Sequence, residues 1–203
     1  TFTLMCILFT HASAQAADVN SVKATIVKHA IEMGVDPAIA LSIARTESGF
    51  RHEARSSHGA VGVFQLMPST ARRMGYNPYS LNENIKAGIT YYKKMYNMFG
   101  SVELALAAYN AGPGNVKKYN NKVPPYGETR RFVSKIMSDV NRQRVAPDPI
   151  VAKVRSGAYT AQKPAGTIKP ASAPKLIDAK DLQVEVLEEK PIELKLETLT
   201  IAI

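Results

Sequence analysis

The sequence has 203 residues, 45% of them apolar, with a formal net charge of +9 and a pI of about 9.6. That length holds one domain with appendages, and the apolar share is enough for a real core. The positive balance points to an anionic partner, but no Arg/Lys cluster is interleaved with aromatics, which argues against nucleic acid.

The chain opens on an apolar run from Phe2 to Phe9, then small residues, and Ala14-Gln15-Ala16 fits a cleavage site. The run is too short to span a bilayer. Residues 1–16 therefore read as a signal peptide whose initiator Met and basic n-region are not in this sequence. Export to the periplasm or cell wall is expected, with no stable membrane anchor. The single cysteine, Cys6, falls in this segment, so the mature chain is expected to have neither a disulfide framework nor thiol chemistry.

Residues 17–145 have helical patterning. Val22, Ile26, Ala30 and Met33 make one stripe, stopped by Gly34. Asp36 and Pro37 open a second helix, which Gly49 closes. Arg51–Leu66 has glycines and no helical period, so it reads as loop or short hairpin. Pro68 opens a short helix ended by Gly75. Asn82 is the expected cap of a long helix that Gly100 stops. Gly88 inside it costs about 1 kcal/mol relative to Ala, which predicts close helix packing there. Ser101 caps a helix, Val102–Ala111, that is apolar nearly all round and so predicted to be buried. The last helix carries Phe132, Ile136 and Val140 on one face.

Composition changes after Ala146. Residues 146–175 are rich in Pro, Ala and Lys and read as linker. Residues 176–203 are net acidic and alternate apolar with polar at Leu182, Val184 and Val186, and again at Ile192, Leu194 and Leu196. They read as a disordered tail or a docking strand for a protein partner.

Glu47 is the residue out of place. Three, four and seven positions before it stand Ala44, Ile43 and Ala40, its same-face neighbours on a helix. A carboxylate thus lies along an apolar face at a helix C-terminus, where desolvation and the dipole both disfavour charge. Either it is an acid at the core's edge that reaches water, or its neutral form is useful. Two further polar groups sit in apolar runs: Gln65 among Val63, Phe64, Leu66 and Met67, and Tyr109-Asn110 at the end of an apolar helix. Each alone reads as a satisfied core group. Converged, they form a cleft with one acid and several neutral hydrogen-bonders, suited to an uncharged hydroxyl- and amide-rich ligand such as an N-acetylated sugar.

Glu47-Ser48-Gly49-Phe50, the stretch Gly59–Ala71 with its Gln-Leu-Met-Pro-Ser-Thr-Ala, Asn84–Gly100, Leu104–Tyr119 with its Ala-Ala-Tyr-Asn-Ala-Gly-Pro-Gly, and Tyr126–Val133 fall in one order over roughly residues 22–143. Together they resemble the catalytic domain of the soluble, SLT-like lytic transglycosylases. Two departures stand out: Val63-Phe64 stand where that family usually has Leu-Met, and Phe132 stands where it commonly has Tyr. The resemblance implies a mainly α, goose-lysozyme-like fold with a small β-like element beside a saccharide cleft. It implies cleavage of the peptidoglycan glycan strand between N-acetylmuramic acid and N-acetylglucosamine, leaving a 1,6-anhydro end. Glu47 would be the catalytic acid and then base, with Ser48, Gln65, Tyr109 and Asn110 binding substrate.

One acid can serve if the substrate supplies the nucleophile, and the other candidates are poor. Glu53 lies in a polar loop; Glu83, Glu103 and Glu128 sit at helix starts, where acids are stabilising. No cofactor or metal is implied, since His11, His29, His52 and His58 show no paired ligand spacing. A monomer is expected. The competing readings are a goose-type hydrolase with Glu53 as second carboxylate, and a non-catalytic wall-binding or assembly module.

Overall fold

The computed structural model describes residues 19–159. The segment read as a signal peptide and the acidic tail with its docking strand lie outside them. Helix α1 spans 19–32 and buries Val22, Ile26 and Ala30 of the expected stripe together with Val27, while Met33 lies just past its end and is only partly buried. Helix α2, Pro37–Ser48, starts as its sequence dictates: the Asp36 carboxylate accepts from the Ala38 N–H and Pro37 fills the first turn. Gly49, at φ 62°, ends it in the left-handed conformation and returns its N–H to the Ala44 and Arg45 carbonyls.

After α3 (Pro68–Arg73) come α4 (Leu81–Phe99), α5 (Val102–Ala111), α6 (Pro113–Lys118) and α7 (Gly127–Val145). The cap of α4 is Ser80, whose hydroxyl accepts from the Glu83 N–H. Asn82, the expected cap, instead puts its side-chain oxygen 2.6 Å from His29 Nε2 on α1. Helix α5 is the hub that its all-round apolarity predicts. It packs against α4, α6 and α7, while α2 packs against α7. Among the described residues there is no β-strand. The expected β-like element is two isolated antiparallel bridges, Arg55 to Val61 and Val61 to Leu66.

Two further expectations change. Close packing does occur at Gly88, but against the fully buried Phe64 ring of the 61–66 loop rather than against a helix. A Cβ on Gly88 would land inside that ring. And the stretch read as linker from 146 begins with a docked helix, α8 (Pro149–Arg155). Asp148 caps it and bridges to Lys23 of α1 at 2.9 Å, and Ile150 is buried in the common core. The folded unit therefore continues past residue 145. Among the described residues no helix is long and apolar enough to cross a membrane.

Candidate functional site

A cavity of about 450 Å³ opens where the end of α2, the loop from Ser56 to Met67, and the ends of α5 and α7 meet. Glu47, Gln65, Tyr109 and Asn110 all line it. Ser48 does not. A second cavity, of about 380 Å³ around Asp36, Tyr92, Tyr96 and Arg144, shares no residue with the first and holds none of the predicted site residues.

Glu47 is half-buried in the last turn of α2. Desolvation is the main reason its carboxyl is pushed up from 4.5 to about 8; the Glu128 carboxylate adds to it. Near neutral pH Glu47 is therefore a protonated acid, the state a proton donor needs.

Ser48 turns the other way. Its hydroxyl is buried, donates to the Val63 carbonyl at 2.8 Å and accepts from the Arg51 N–H at 3.1 Å. It ties the end of α2 to the 61–66 loop. The serine facing the cavity is Ser56, whose oxygen accepts from the Ala60 N–H at 3.0 Å and whose proton is left to serve a ligand. The signal for Ser56 was weak, a serine in a polar loop.

Three contacts set the loop that carries Gln65. Buried Asn84 of α4 accepts from the Phe64 N–H and donates to the Val61 and Pro78 carbonyls. Gly62, at φ 79°, lies so close to Asn84 that a side chain there would collide with it. The Tyr109 hydroxyl donates to the Phe64 carbonyl at 2.8 Å. Gln65 itself sits at φ 44°, and its amide nitrogen donates to the Gly62 and Ala54 carbonyls. Those two carbonyl partners fix the orientation of the amide, so its oxygen is the atom left for a ligand.

Burial and the nearby Glu47 and Tyr91 hold the Tyr109 phenol well above its ordinary value, so it stays neutral. Its ring stacks on Phe132, centroids 6.3 Å apart and 10° from parallel. The departure at 132 thus fills the wall behind Tyr109. Asn110 accepts from the buried Thr129 hydroxyl at 2.7 Å, which leaves its amide N–H groups as donors.

The sequence reading missed Glu128, His58, Thr70 and Tyr91, all on the cavity. Glu128 matters most. Its place in the first turn of α7 suggested helix stabilisation alone, yet the packing of α7 on α5 brings it to the same cavity as Glu47. Glu53, the expected second carboxylate of a hydrolase, is exposed and not on the cavity. Among the described residues no three His, Cys, Asp or Glu side chains converge as a metal-binding group.

Comparison with known proteins gives a consistent picture. A family model described as "Transglycosylase SLT domain" matches residues 24–130, more than half of the chain. The chain is 30% identical to the "Transglycosylase" of Enterobacteria phage PRD1 over 118 residues, 58% of this chain and 42% of that protein. It is 31% identical to the "Soluble lytic murein transglycosylase" of Escherichia coli K12, over 51% of this chain and 20% of that protein. Among solved structures it is similar to an inactive glutamate-to-glutamine mutant of the lytic transglycosylase Slt from Pseudomonas aeruginosa. That match has 33% identity and a TM-score of 0.54, over 63% of this chain and 25% of that one. The chain thus spans less than half the length of each of these relatives.

Proposed function

The chain belongs to the transglycosylase SLT domain family, and from that membership and the cavity's geometry we propose that it is a peptidoglycan lytic transglycosylase. It cleaves the bond between N-acetylmuramic acid and N-acetylglucosamine without consuming water. One observation carries the reading: Glu47, raised to about 8, on a cavity otherwise lined largely by neutral hydrogen-bonders.

The protonated Glu47 donates to the departing sugar oxygen. The 2-acetamido carbonyl of the substrate attacks the anomeric carbon, closing an oxazolinium. Glu47, now ionised, takes the proton of the sugar's own O6 hydroxyl. O6 then closes on the anomeric carbon, the acetamido group is released, and a 1,6-anhydro ring remains. Glu47 ends protonated, ready for another cycle. We assign the acetamido oxygen to the hydroxyl of Ser56, which lines the cavity where Ser48, expected to bind substrate, does not. Gln65 offers an acceptor and Asn110 donors for sugar hydroxyl and amide groups. Ser48, Asn84 and Tyr109 hold the loop that presents Gln65. The relative solved as an inactive glutamate-to-glutamine mutant supports a mechanism resting on a glutamate. The reading requires export, which a signal peptide at residues 1–16 would supply, and the basic charge suits an anionic wall.

Glu128 carries a second reading. With a carboxylate on the same cavity as Glu47, a water could be activated and the protein would be a hydrolase. Mass analysis of muropeptides released from purified sacculi separates the two. We expect products with anhydro ends, one water lighter than hydrolysis products. Reducing-end muramic acid alone would assign the hydrolase.

A further inference from the structure

A glycan strand is longer than the cavity, so the units beyond it must lie on the rim. The segment that leads into α7 and Glu128 carries an aromatic pair that the mechanism does not use. Tyr126 is 37% exposed, stands two residues before Glu128, and meets Tyr119 edge-on with ring centroids 5.7 Å apart. Its position is fixed. The Tyr126 hydroxyl donates to Asn115 Oδ1 at 3.2 Å, and Asn115 Nδ2 donates to the Ala111 carbonyl at 2.8 Å. Ala111 and Gly112 are themselves cavity wall. Tyr126 is thus tied to the cavity from both sides, by Glu128 along the chain and by Asn115 through hydrogen bonds.

A tyrosine held this way offers an apolar face at low entropic cost and a polar edge already satisfied. A pyranose presents a matching apolar face of C–H groups. Tyr79 is more exposed, at 50%, but Arg55 and Arg72 already lie over its ring at 5.8 and 5.9 Å. Tyr96, at 42%, stacks on Tyr92 beside the other cavity.

We propose that Tyr126, braced by Tyr119 and Asn115, is a stacking subsite for an N-acetylated hexosamine unit of the glycan beyond the catalytic cavity. It rests on the reading of the cavity as a saccharide site. Its contribution grows with substrate length, because only a strand that runs out of the cavity reaches the ring.

The test is calorimetric binding of N-acetylglucosamine oligomers of increasing length to the full chain carrying Glu47→Gln, chosen to suppress turnover. Adding Tyr126→Ala should weaken binding of the longer oligomers about three- to tenfold, the worth of one aromatic contact. The shortest oligomer that binds should be unaffected. Tyr126→Phe, which keeps the ring and loses the hydroxyl, should bind long oligomers nearly as well as the Glu47→Gln chain. Melting temperatures establish that each variant is folded. Equal affinity of the Ala variant for long oligomers overturns the subsite and leaves the cavity reading intact; so does equal weakening at every length. Failure of the Glu47→Gln chain itself to bind any oligomer overturns the saccharide reading and the subsite with it.

Discussion

At Glu47 the chemistry and the stability pull in opposite directions. The unfolded chain releases this proton near 4.5 and the folded chain keeps it to about 8. Between those values the native state binds the extra proton, so stability falls by about 1.4 kcal/mol per pH unit as pH rises. At pH 7 the accumulated cost is roughly 3 kcal/mol, and below about pH 4 it is absent. Glu47→Gln should therefore lose at least the roughly 10²–10⁴-fold typical of general acid catalysis, yet melt higher than the parent at pH 7 and at the same temperature near pH 4. The parent's rate should fall as pH rises through about 8, where the donor ionises. Thermal melts at the two pH values, with a pH–rate profile, check both signs. The serines give a paired contrast. Ser48→Ala takes the hydroxyl donor from the Val63 carbonyl and leaves the Arg51 N–H only its long bond to the Ser48 carbonyl, at a cost of about 1–3 kcal/mol, and should lower the melting temperature. Ser56→Ala should lower turnover with a smaller change in melting. Glu47 was legible because helical period alone puts it on an apolar face. The bond of Ser48 to Val63 was not legible, because its partner comes from a loop fifteen residues on, a contact that no local pattern encodes. Glu128 was misread because an acid in a first turn has a sufficient local explanation.

Between elements, Phe64 and Gly88 form the joint that holds the Gln65 loop to α4. Phe64 is fully buried, and its ring occupies the space a side chain at 88 would need. Gly88→Ala removes the propensity cost of glycine, about 1 kcal/mol, but forces the ring out of place, at about 1–3 kcal/mol or more. The net change should be destabilising, with activity lost as the Phe64 carbonyl and N–H leave Tyr109 and Asn84. Combining Gly88→Ala with Phe64→Ala should cost less than the sum of the two single changes, because the overlap disappears once the ring is gone. Additive denaturation free energies would show that the two positions are uncoupled. The sequence announced this joint only as a glycine in a helix; the partner belongs to the loop and could not be named from period. The long helices were legible because their stripes repeat over several turns. Helix α8 was not, since its seven residues are too few for a stripe and lie in Pro- and Lys-rich surroundings. Its one signal was Asp148-Pro149, the same cap that Asp36-Pro37 supplies to α2.

Across the folded unit, α8 closes an ionic network that reaches α2, the helix carrying Glu47. Asp148 accepts from Lys23 at 2.9 Å and from Arg45 at 3.5 Å, and Arg45 also grips buried Asp139 with two bonds of 2.8 and 2.9 Å. Lys23 and Arg45 both lie over the ring of Phe50, at 5.3 and 5.6 Å. Phe50 stands three residues after Glu47 and holds a left-handed φ of 68°, a conformation that costs a bulky residue energy and must be held by its surroundings. The network therefore holds the exit of α2 in place through Arg45 and Phe50. A chain ending at Val145 would lose the Asp148 carboxylate and the buried Ile150, leaving Lys23 without its carboxylate, Arg45 with Asp139 alone, and a gap in the common core. Losing one buried isoleucine alone amounts to roughly 2–3 kcal/mol. We expect this chain to melt well below one ending at Lys163, which keeps α8, and to lose activity in proportion because Phe50 and Glu47 share the freed segment. Asp148→Asn in the full chain should reproduce a smaller part of the loss, and high salt should reduce the difference between it and the parent, since the pairs are only partly buried. Matching melting temperatures for the chains ending at 145 and 163 would remove α8 from the folded unit and return the boundary to the end of α7.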